Sequence, residues 1–305
     1  MSLLFDPRDT LWSHLTADPQ QNTGTKRMIT EFDMQVTMIP HKNRFEYHSP
    51  ADLIEKIRAT IDSGSAEEYF LYFHGVTHDN LPELDREFFL SRLDCTLDFT
   101  TENGSRGLIC RILPGWKHGM LTLNLWVEIM DKIREMPGHS RYSIRSFGGT
   151  RFDLTDIRSK EGHQALGPAT RGAKNVWPSV VIEVGYSEAL DFLRLDAEWW
   201  LHHSNGAIRF VILVQLMTDP LAIRIECWGL APPIHLMAQQ TPIRLPSRLQ
   251  EFDIDADGVV KSTSNELCIP YSAIFDEPNK NAPDVVFTDE ELSSFALRMF
   301  DEMKY

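Results

Sequence analysis

The spacing of hydrophobic residues predicts four amphipathic helices. Apolar side chains recur every three or four residues in each of them, so that one side of the helix can be buried. The four predicted helices cover residues 49–61, 119–136, 187–203 and 288–300. Ser49 and Pro50 are typical of a helix start, and Thr288 with Glu291 matches a capping box. The last helix is expected to dock on the rest of the protein.

Runs of β-branched and aromatic residues predict the strands. The predicted strands cover residues 97–101, 107–113, 141–147, 150–154, 178–186, 208–216 and 222–230. The first two are expected to form a hairpin that turns at Asn103-Gly104, and the next two a hairpin around Gly148-Gly149. A loop of about twenty residues is expected before residue 178. Helices and strands that alternate in this way predict an α/β fold.

One acidic residue lies inside the most apolar of the predicted strands. The strand reads WPSVVIEVGY from Trp177 to Tyr186, and its glutamate is Glu183. Side chains alternate between the two faces of a strand, so Glu183 shares its face with Val181 and Gly185. A carboxylate that is buried without a partner is costly. Glu183 therefore needs either a partner or a chemical role.

Composition adds that the protein is acidic and of the ordinary globular kind. The 305 residues include 42% hydrophobic and 24% charged residues, which excludes a fibrous or disordered protein. The formal net charge of −14 argues against a domain that holds nucleic acid chiefly by charge. No apolar run reaches transmembrane length and the first residues lack a signal-peptide core, so we expect a cytoplasmic protein without a membrane partner. The 4 cysteines form no CxxC pair, which argues against a zinc site and against a disulfide framework.

A local excess of positive charge lies between residues 141 and 174. Seven basic residues stand there against three acids. The basic residues are Arg141, Arg145, Arg151, Arg158, Lys160, Arg171 and Lys174. Such a cluster could recognise phosphate groups, and it could equally be a solvated loop of mixed charge.

The order of elements from residue 119 to residue 216 carries a resemblance. The predicted order is helix, strand, strand, strand, helix, strand, with Asp153 on the second strand and Glu183 on the third. In these features the chain resembles the PD-(D/E)XK nuclease superfamily, in the form found in many fungal proteins with a tryptophan-rich helix after a strand such as WPSVVIEVG. The resemblance implies a restriction-endonuclease-like α/β core over residues 118–230. Residues 1–117, with a helix and a hairpin, and residues 231–305, ending in a helix, would be extensions of one compact unit.

In that superfamily, two acidic residues bind a magnesium ion, and a lysine two residues after the second acid orients or activates the attacking water. Asp153 and Glu183 match the acids, but Phe152 replaces the proline of the motif and Gly185 stands at the lysine position. Arg194 is the basic residue of the following helix. Because arginine stays protonated, Arg194 can stabilise charge but cannot easily act as a base. A magnesium ion on Asp153 and Glu183 is expected only if the protein is a nuclease, and no cofactor is expected otherwise.

Two further residues, Glu128 on the preceding helix and Gln215 on the next strand, are secondary candidates to face the same site. The structural alternative is that Asp153 and Glu183 merely pair with arginines such as Arg151 or Arg194.

The resemblance extends to a group of fungal arginine-containing cyclodipeptide synthases, which couple arginine from arginyl-tRNA to a second amino acid. Loss of the lysine fits an enzyme that cuts no phosphodiester. The basic cluster, which includes Arg151, Arg158 and Lys160, would meet the acceptor end of the tRNA. Acidic residues in the pocket would suit a guanidinium group, for which a carboxylate is the bidentate partner.

This likeness also implies roles for residues around the strand. Glu183 or Asp153 would act as the base or as the anchor of the arginine side chain, and Arg194 would lie near the ester. Tyr186 and Ser187 are the nearest candidates for a nucleophile. A magnesium-dependent nuclease and a non-catalytic binding protein on the same scaffold are the alternatives, and the second amino acid and a homo-oligomeric state stay open.

Two other motifs are interpreted as structural. Asp253 and Asp255 begin a sequence like a calcium-binding loop, but its twelfth position is Ser264 instead of a glutamate, which predicts an acidic turn. His202-His203 ends a predicted helix, and no third ligand stands at a recognisable spacing. We therefore interpret the two histidines as a helix-terminal pair.

Overall fold

The structure is a computed structural model that describes most of the chain after residue 28. The described ranges are 29–63, 69–93, 95–101, 106–112, 116–155, 158–172, 176–186, 190–233, 244–279 and 281–304. The helices are α1 (Glu31–Met38), α2 (Pro50–Asp62), α3 (Leu81–Ser91), α4 (Trp116–Glu135), α5 (Leu190–His203), α6 (Tyr271–Ile274) and α7 (Asp289–Glu302). Within these ranges, no helix is both long enough and apolar enough to cross a membrane.

The strands are β1 (Arg44–Glu46), β2 (Tyr69–His74), β3 (Cys95–Thr100), β4 (Gly107–Ile112), β5 (Ile144–Ser146), β6 (Arg151–Thr155), β7 (Arg158–Glu161), β8 (Gln164–Pro168), β9 (Val180–Tyr186), β10 (Phe210–Thr218), β11 (Leu221–Leu230), β12 (Pro246–Asp255), β13 (Val260–Ser262), β14 (Leu267–Ile269) and β15 (Val285–Phe287). Helices and strands of both kinds of pairing make this an α/β protein, as the sequence predicts.

A seven-stranded mixed sheet forms the larger half of the protein. Its order is β13-β12-β11-β10-β9-β8-β5, with β9 and β10 parallel and the other neighbours antiparallel. Both faces of the central strands are covered, which explains their nearly continuous apolar sequences. Ile182 and Val184 of β9 pack with Leu125 of α4 on one face. Val181 packs with Trp200 of α5 on the other.

The second sheet has six strands, in the order β1-β2-β4-β3-β7-β6. Leu53 of α2 and Leu84 of α3 cover one of its faces, where they pack against apolar residues of β2, β3 and β4. The opposite face meets α1 and α5, where Phe192 of α5 packs with Ile109 of β4 and Phe32 of α1. Helix α5 therefore lies between the two sheets and contacts both.

Several predicted elements are confirmed. Helix α2 begins after Ser49, whose hydroxyl accepts a hydrogen bond from the backbone of Asp52. Strands β3 and β4 pair as an antiparallel hairpin, although the predicted turn at Asn103-Gly104 lies outside the described residues. The capping box of Thr288 and Glu291 is present at the start of α7.

The predicted strand order of the central sheet is wrong in one respect. Strand β6, which carries Asp153, belongs to the six-stranded sheet, so β5 and β6 do not form a hairpin around Gly148-Gly149. The stretch predicted as a loop contains β7 and β8, and β8 takes the place between β5 and β9. The reason is that Phe152 buries its ring against Trp177 and Trp200 while β7 pairs with β3. The hairpin β6–β7 thereby links residues 151–161 to the N-terminal strands.

Strand pairing also crosses both predicted segment boundaries. The hairpin β6–β7 joins strands from residues 1–117, and β12 and β13 from residues 231–305 extend the central sheet. The three predicted segments thus share sheets.

The central sheet should depend on its buried aliphatic residues. Ile212→Ala in β10, where the side chain is fully buried, is expected to lower the free energy of unfolding by about 2–5 kcal/mol. Leu123→Ala on the exposed side of α4 is the matched control and should change it by less than about 0.5 kcal/mol. Denaturant unfolding of both variants measures the difference. Equal losses would contradict the assignment of β10 to the centre of the core.

Candidate functional site

Glu183 lies at the centre of a buried polar cluster. Its side chain is 1% exposed, because its position on β9 turns it toward α5. Trp200 Nε1 donates a hydrogen bond of 2.6 Å to Oε1 of Glu183. His163 Nδ1 contacts Oε2, and Arg111 Nη1 lies 4.0 Å from the same oxygen. Glu183 thus has three polar neighbours, namely an indole, an imidazole and a guanidinium group.

Gly162 gives this cluster its room. A Cβ atom at position 162 would lie 3.3 Å from Trp200 Cζ2, 3.4 Å from Val181 Cγ1 and 3.5 Å from Glu183 Oε1. A side chain there would press on the ring that hydrogen-bonds to Glu183. Glycine at position 162 therefore lets His163 and Trp200 approach the carboxyl group from two sides.

Nδ1 of His163 and Oε2 of Glu183 can form a hydrogen bond only if one of the two atoms carries a proton. The backbone nitrogen of Val184 donates to Nδ1 of His163 over 3.3 Å, so this nitrogen acts as an acceptor. Burial raises the pKa of Glu183, and burial together with Arg111 and Lys160 holds the pKa of His163 well below its usual range. A protonated Glu183 whose Oε2 donates to Nδ1 of a neutral His163 agrees with both shifts, with the 3.3 Å contact from Val184 as the weaker second donor to the same lone pair, while Oε1 accepts from Trp200.

Lys160 forms the second half of the cluster. Its ammonium group lies 2.6 Å from Oδ2 of Asp98 and 2.7 Å from Oδ1 of Asp196. Gln35 Nε2 donates to the same oxygen of Asp196 over 2.6 Å, and Arg111 Nη1 lies 3.6 Å from Asp196 Oδ2. Burial by itself lowers the pKa of Lys160, but attraction to Asp196 and Asp98 outweighs it, so the pKa is raised. Lys160 therefore stays charged.

The charges of the cluster balance when one proton is added. Asp98, Asp196 and Glu183 are its three carboxyl groups, and Lys160 and Arg111 are its two cations. Because an uncompensated buried charge is costly, the excess of one carboxyl group favours the protonated form of one acid. Burial raises the pKa of Glu183, which agrees with a proton on this acid.

His118 of α4 closes the cluster at the other face of β9. Its Nε2 atom lies 3.0 Å from the carbonyl oxygen of Val184, which also accepts a hydrogen bond of 2.8 Å from Arg111. The imidazole rings of His118 and His163 are 4.4 Å apart. Burial, His163 and Arg111 together lower the pKa of His118 to about 2. His118 is therefore neutral and donates to the backbone of β9.

A small cavity adjoins the cluster on the side of the six-stranded sheet. Its volume is about 20 Å³, and it is bounded by charged side chains and by two stacked phenylalanine rings. Those residues are Asp98, Lys160, Glu161, Asp196, Arg111, Phe70 and Phe192. Oδ1 of Asp98 has no hydrogen-bond partner among the described residues. The lining of the cavity has three carboxyl groups against the two cations Lys160 and Arg111, so the carboxyl groups are in excess by one.

The structure separates Asp153 from Glu183. Phe152 points at Trp200, with ring centroids 5.8 Å apart, and the next side chain of a strand points to the opposite side. Asp153 is accordingly exposed. The prediction that Asp153 and Glu183 share one site is wrong, and the magnesium pair expected for a nuclease does not form. Glu183 also suits a metal poorly, because its oxygens are engaged by Trp200 and His163 and lie beside Arg111.

Arg194 and Glu128 pair with residues outside the cluster. Arg194 donates two hydrogen bonds, of 3.1 and 2.6 Å, to Glu226 of β11, so its predicted position near Glu183 is wrong. Glu128 accepts a hydrogen bond of 2.6 Å from Arg298 of α7 and does not face Glu183.

The remaining candidates differ in position. Gln215 is buried and stands opposite Gly185 in the parallel pairing of β9 and β10, so it shares the sheet face of Glu183. Tyr186 alternates to the other face, where it packs against the core under α4. Ser187 lies outside the described residues.

Most of the predicted basic cluster is occupied in ion pairs. Arg158 and Lys160 are buried, with Arg158 Nη1 lying 3.6 Å from Glu31. Arg151 lies 2.7 Å from Asp85 and 2.8 Å from Glu161. Buried side chains cannot reach the phosphates of a tRNA on the surface, so this part of the prediction is wrong. Lys174 lies outside the described residues.

Asp98, Arg111, Asp196 and His163 are not predicted as site residues from the sequence. Asp98 and Arg111 occupy the alternate face of the hairpin β3–β4, opposite Leu97 and Cys110. Asp196 stands four residues before Trp200 and thus on the same side of α5. The four-residue spacing of Asp196 and Trp200 is visible in the sequence, whereas His163 lies in a stretch for which the sequence predicts a loop.

The buried position of Lys160 predicts a large cost for its removal. Lys160→Met should lower the free energy of unfolding by about 3–5 kcal/mol, because Asp98 and Asp196 would be left without their cation. Lys132→Met is the matched control, since Lys132 pairs with Glu291 at 2.7 Å on the surface, and it should cost about 0–1 kcal/mol. Denaturant unfolding compares the two. Similar losses would contradict a buried ion-pair cluster.

Neutral His118 predicts a pH dependence of stability. The unfolded chain protonates this imidazole below its ordinary pKa of 6.5, whereas the folded chain does so only near a pKa of about 2. The stabilisation is thus present above pH 6.5 and is lost as the pH falls, by at most about 1.4 kcal/mol per pH unit. His118→Gln, which keeps a donor to Val184, should flatten this slope between pH 6.5 and about 5. Leu123→Ala, which removes no titrating group, should keep the wild-type slope, and an unchanged slope in His118→Gln would contradict the assignment.

No protein-family model, curated protein or solved structure matches this chain. The likeness to the PD-(D/E)XK superfamily therefore rests on the residues and on the order of elements. The function of the site is inferred from its geometry.

Proposed function

We propose that the protein is a catalytically diverged enzyme of the PD-(D/E)XK fold that makes an arginine-containing cyclodipeptide from aminoacyl-tRNA. The observation that carries the proposal is the carboxylate-lined cavity beside the Glu183–His163 pair. The link to tRNA comes from the resemblance alone.

The arrangement of the central sheet supports the scaffold. Reading along the chain, α4, β5, β8, β9, α5 and β10 give helix, strand, strand, strand, helix, strand. The four strands are neighbours in the sheet, antiparallel up to β9 and parallel between β9 and β10. The hairpin β6–β7 is an insertion between the first and second strands of this set. Glu183 stands on the third strand, as it does in the predicted motif.

The cavity supports arginine as the substrate side chain. A guanidinium group forms paired hydrogen bonds with a carboxylate, and Asp98 offers an oxygen without a partner among the described residues. Glu161 and Asp196 add negative charge at the same cavity. At about 20 Å³ the cavity has room for about one water molecule, so a guanidinium group requires the stacked rings of Phe70 and Phe192 to move apart. Rotamer changes of this kind are common on binding.

The reaction requires a proton acceptor and a donor to the developing oxyanion. The amine of one aminoacyl unit attacks the ester carbon of the other and loses a proton, and the tRNA hydroxyl leaves with one. Glu183 and His163 hold one proton between them and can pass it on. Arg111, which lies at the cavity and 4.0 Å from Glu183, replaces Arg194 as the donor to the oxyanion. The amine of the other aminoacyl unit then attacks the remaining ester carbon, which closes the ring and releases the second tRNA.

A magnesium-dependent nuclease is the weaker alternative. The nuclease reading requires Asp153 and Glu183 to hold one ion, and Asp153 is exposed on the other sheet. The proposed reaction therefore uses no magnesium ion.

A non-catalytic binding protein is favoured by one observation. Lys160, Arg111, Asp98 and Asp196 compensate each other's charges inside the protein, as structural ion pairs do. On this alternative, the cavity would bind arginine without turning it over.

The proposal is tested by reconstitution with labelled arginine. The protein is incubated with tRNA, arginyl-tRNA synthetase, the other synthetases, amino acids and ATP, and products are analysed by mass spectrometry. A labelled cyclic dipeptide that disappears on RNase treatment is expected. Glu183→Gln should slow its formation by about 10²–10⁴-fold, because the acid that exchanges a proton with His163 is lost. Asp153→Asn is the matched control and should leave the rate unchanged.

Three outcomes separate the alternatives. No product with fully charged tRNA would overturn the synthase proposal, and cleavage of nucleic acid that requires Glu183 and magnesium would favour the nuclease. Stabilisation of the protein against thermal unfolding by arginine methyl ester but not by the uncharged citrulline ester, lost in Asp98→Asn and without product, would favour the binding protein.

A further inference from the structure

Three potential metal ligands meet where the start of α1 contacts the end of α5. Glu31 is the first residue of α1, and His202 and His203 are the last two residues of α5. Oε1 of Glu31 lies 3.7 Å from His202 Nδ1, and Oε2 lies 3.7 Å from His203 Nε2. One ligand atom from each residue lies within 4.8 Å of the others. The sequence alone does not identify Glu31 as a third ligand for the two histidines, because it is remote from them along the chain.

The separations suit a shared ion better than a direct hydrogen bond. A charge-assisted hydrogen bond between nitrogen and oxygen is about 2.7–2.9 Å long, which is shorter than both contacts. Ligand atoms around a tetrahedral zinc ion, at about 2.0–2.1 Å from the metal, are about 3.3 Å apart. The two contacts of Glu31 exceed that spacing by about 0.4 Å, and the three ligand atoms lie within 4.8 Å of one another, so the side chains have to close by up to about 1.5 Å around one ion.

The surroundings supply the outer shell of such a site. Glu31 is 5% exposed, and Arg158 Nη1 lies 3.6 Å from its Oε2, so the carboxylate is oriented by a neighbouring guanidinium group. The ring of Trp199 lies 5.4 Å from that of His203 and restricts its rotation. Nε2 of His203 has no hydrogen-bond partner within the described part of the chain. His202 is about half exposed and leaves a route for an ion from solvent.

We propose that Glu31, His202 and His203 form a binding site for a divalent transition-metal ion of the zinc class. Two imidazoles and one carboxylate are a ligand set that zinc accepts, with a fourth position for water. The positive charge of Arg158 opposes a cation, so affinity depends on all three ligands acting together. This site is separate from the cavity and from the proposed function.

The site would fasten α1 to α5. One turn after Glu31, Gln35 of the same helix donates to Asp196 of α5. A metal that joins the start of α1 to the end of α5 would therefore hold Gln35 against the buried cluster. The ion is expected to stabilise the folded chain, because the three ligands come together only on folding.

The test is a titration of the full chain with zinc chloride and, separately, with cobalt chloride. Calorimetry at a pH above the ordinary histidine pKa of about 6.5 should give one zinc ion per chain. Cobalt should give visible absorption bands of a four-coordinate site, and zinc should raise the thermal unfolding midpoint. His202→Asn combined with His203→Asn should weaken binding at least about tenfold and abolish the rise.

The control is His74→Asn, which removes a surface histidine that pairs with Glu46 at 3.0 Å. It should leave zinc affinity unchanged. If the double variant does not fold, His202→Asn alone serves, since this side chain is largely outside the core. No zinc binding to the wild type, or equal affinity in wild type and His202→Asn, would overturn the proposal.

Discussion

The ion pairs of Lys160 join the parts of the protein that the chain keeps far apart. Lys160 stands on β7, Asp98 on β3 and Asp196 on α5, and the ammonium group is within 2.7 Å of both carboxylates. Each of these charges would be costly in the interior without the other two. The six-stranded sheet and the helix that packs on the seven-stranded sheet must therefore meet in one register. Gln35 extends the same constraint to α1 through its bond to Asp196.

This constraint also determines the chemistry that Glu183 can perform. With Lys160 committed to two carboxylates and Arg111 reaching toward a third, the cluster is short of one positive charge. A proton shared by Glu183 and His163 supplies it, because Nδ1 of His163 contacts Oε2 of Glu183. A carboxyl group in this state is a poor metal ligand and a good proton carrier. Burial and charge balance, more than the identity of the strand motif, thus distinguish this site from a magnesium centre.

The sequence predicted elements well where periodicity was the deciding signal. Helix α4 and strand β9 follow from apolar spacing, because each buries a whole face against a neighbour. The sequence also predicts strand β6, but the predicted partner, β5, is wrong, since alternation shows which face of a strand is buried and not which sheet contains the strand. The ring of Phe152 fits against Trp177 and Trp200, and this contact from outside the segment decides that β6 leaves the central sheet. Asp153 then follows Phe152 to the opposite, solvent side.

The site illustrates the same limit at the level of single residues. Glu183 was identifiable because a carboxylate in an apolar strand violates the local pattern. Asp98 and Arg111 violate it as well, but less visibly, since a polar residue on the alternate face of a hairpin is the normal sign of a solvated face. Only the packing of α1 and α5 over that face turns these residues inward. His163 thus stands beside Glu183, where the sequence predicts a second acid. The chemistry of such a protein has to be inferred from the neighbours of the retained residue, because that residue alone is compatible with a metal, a proton or a structural ion pair.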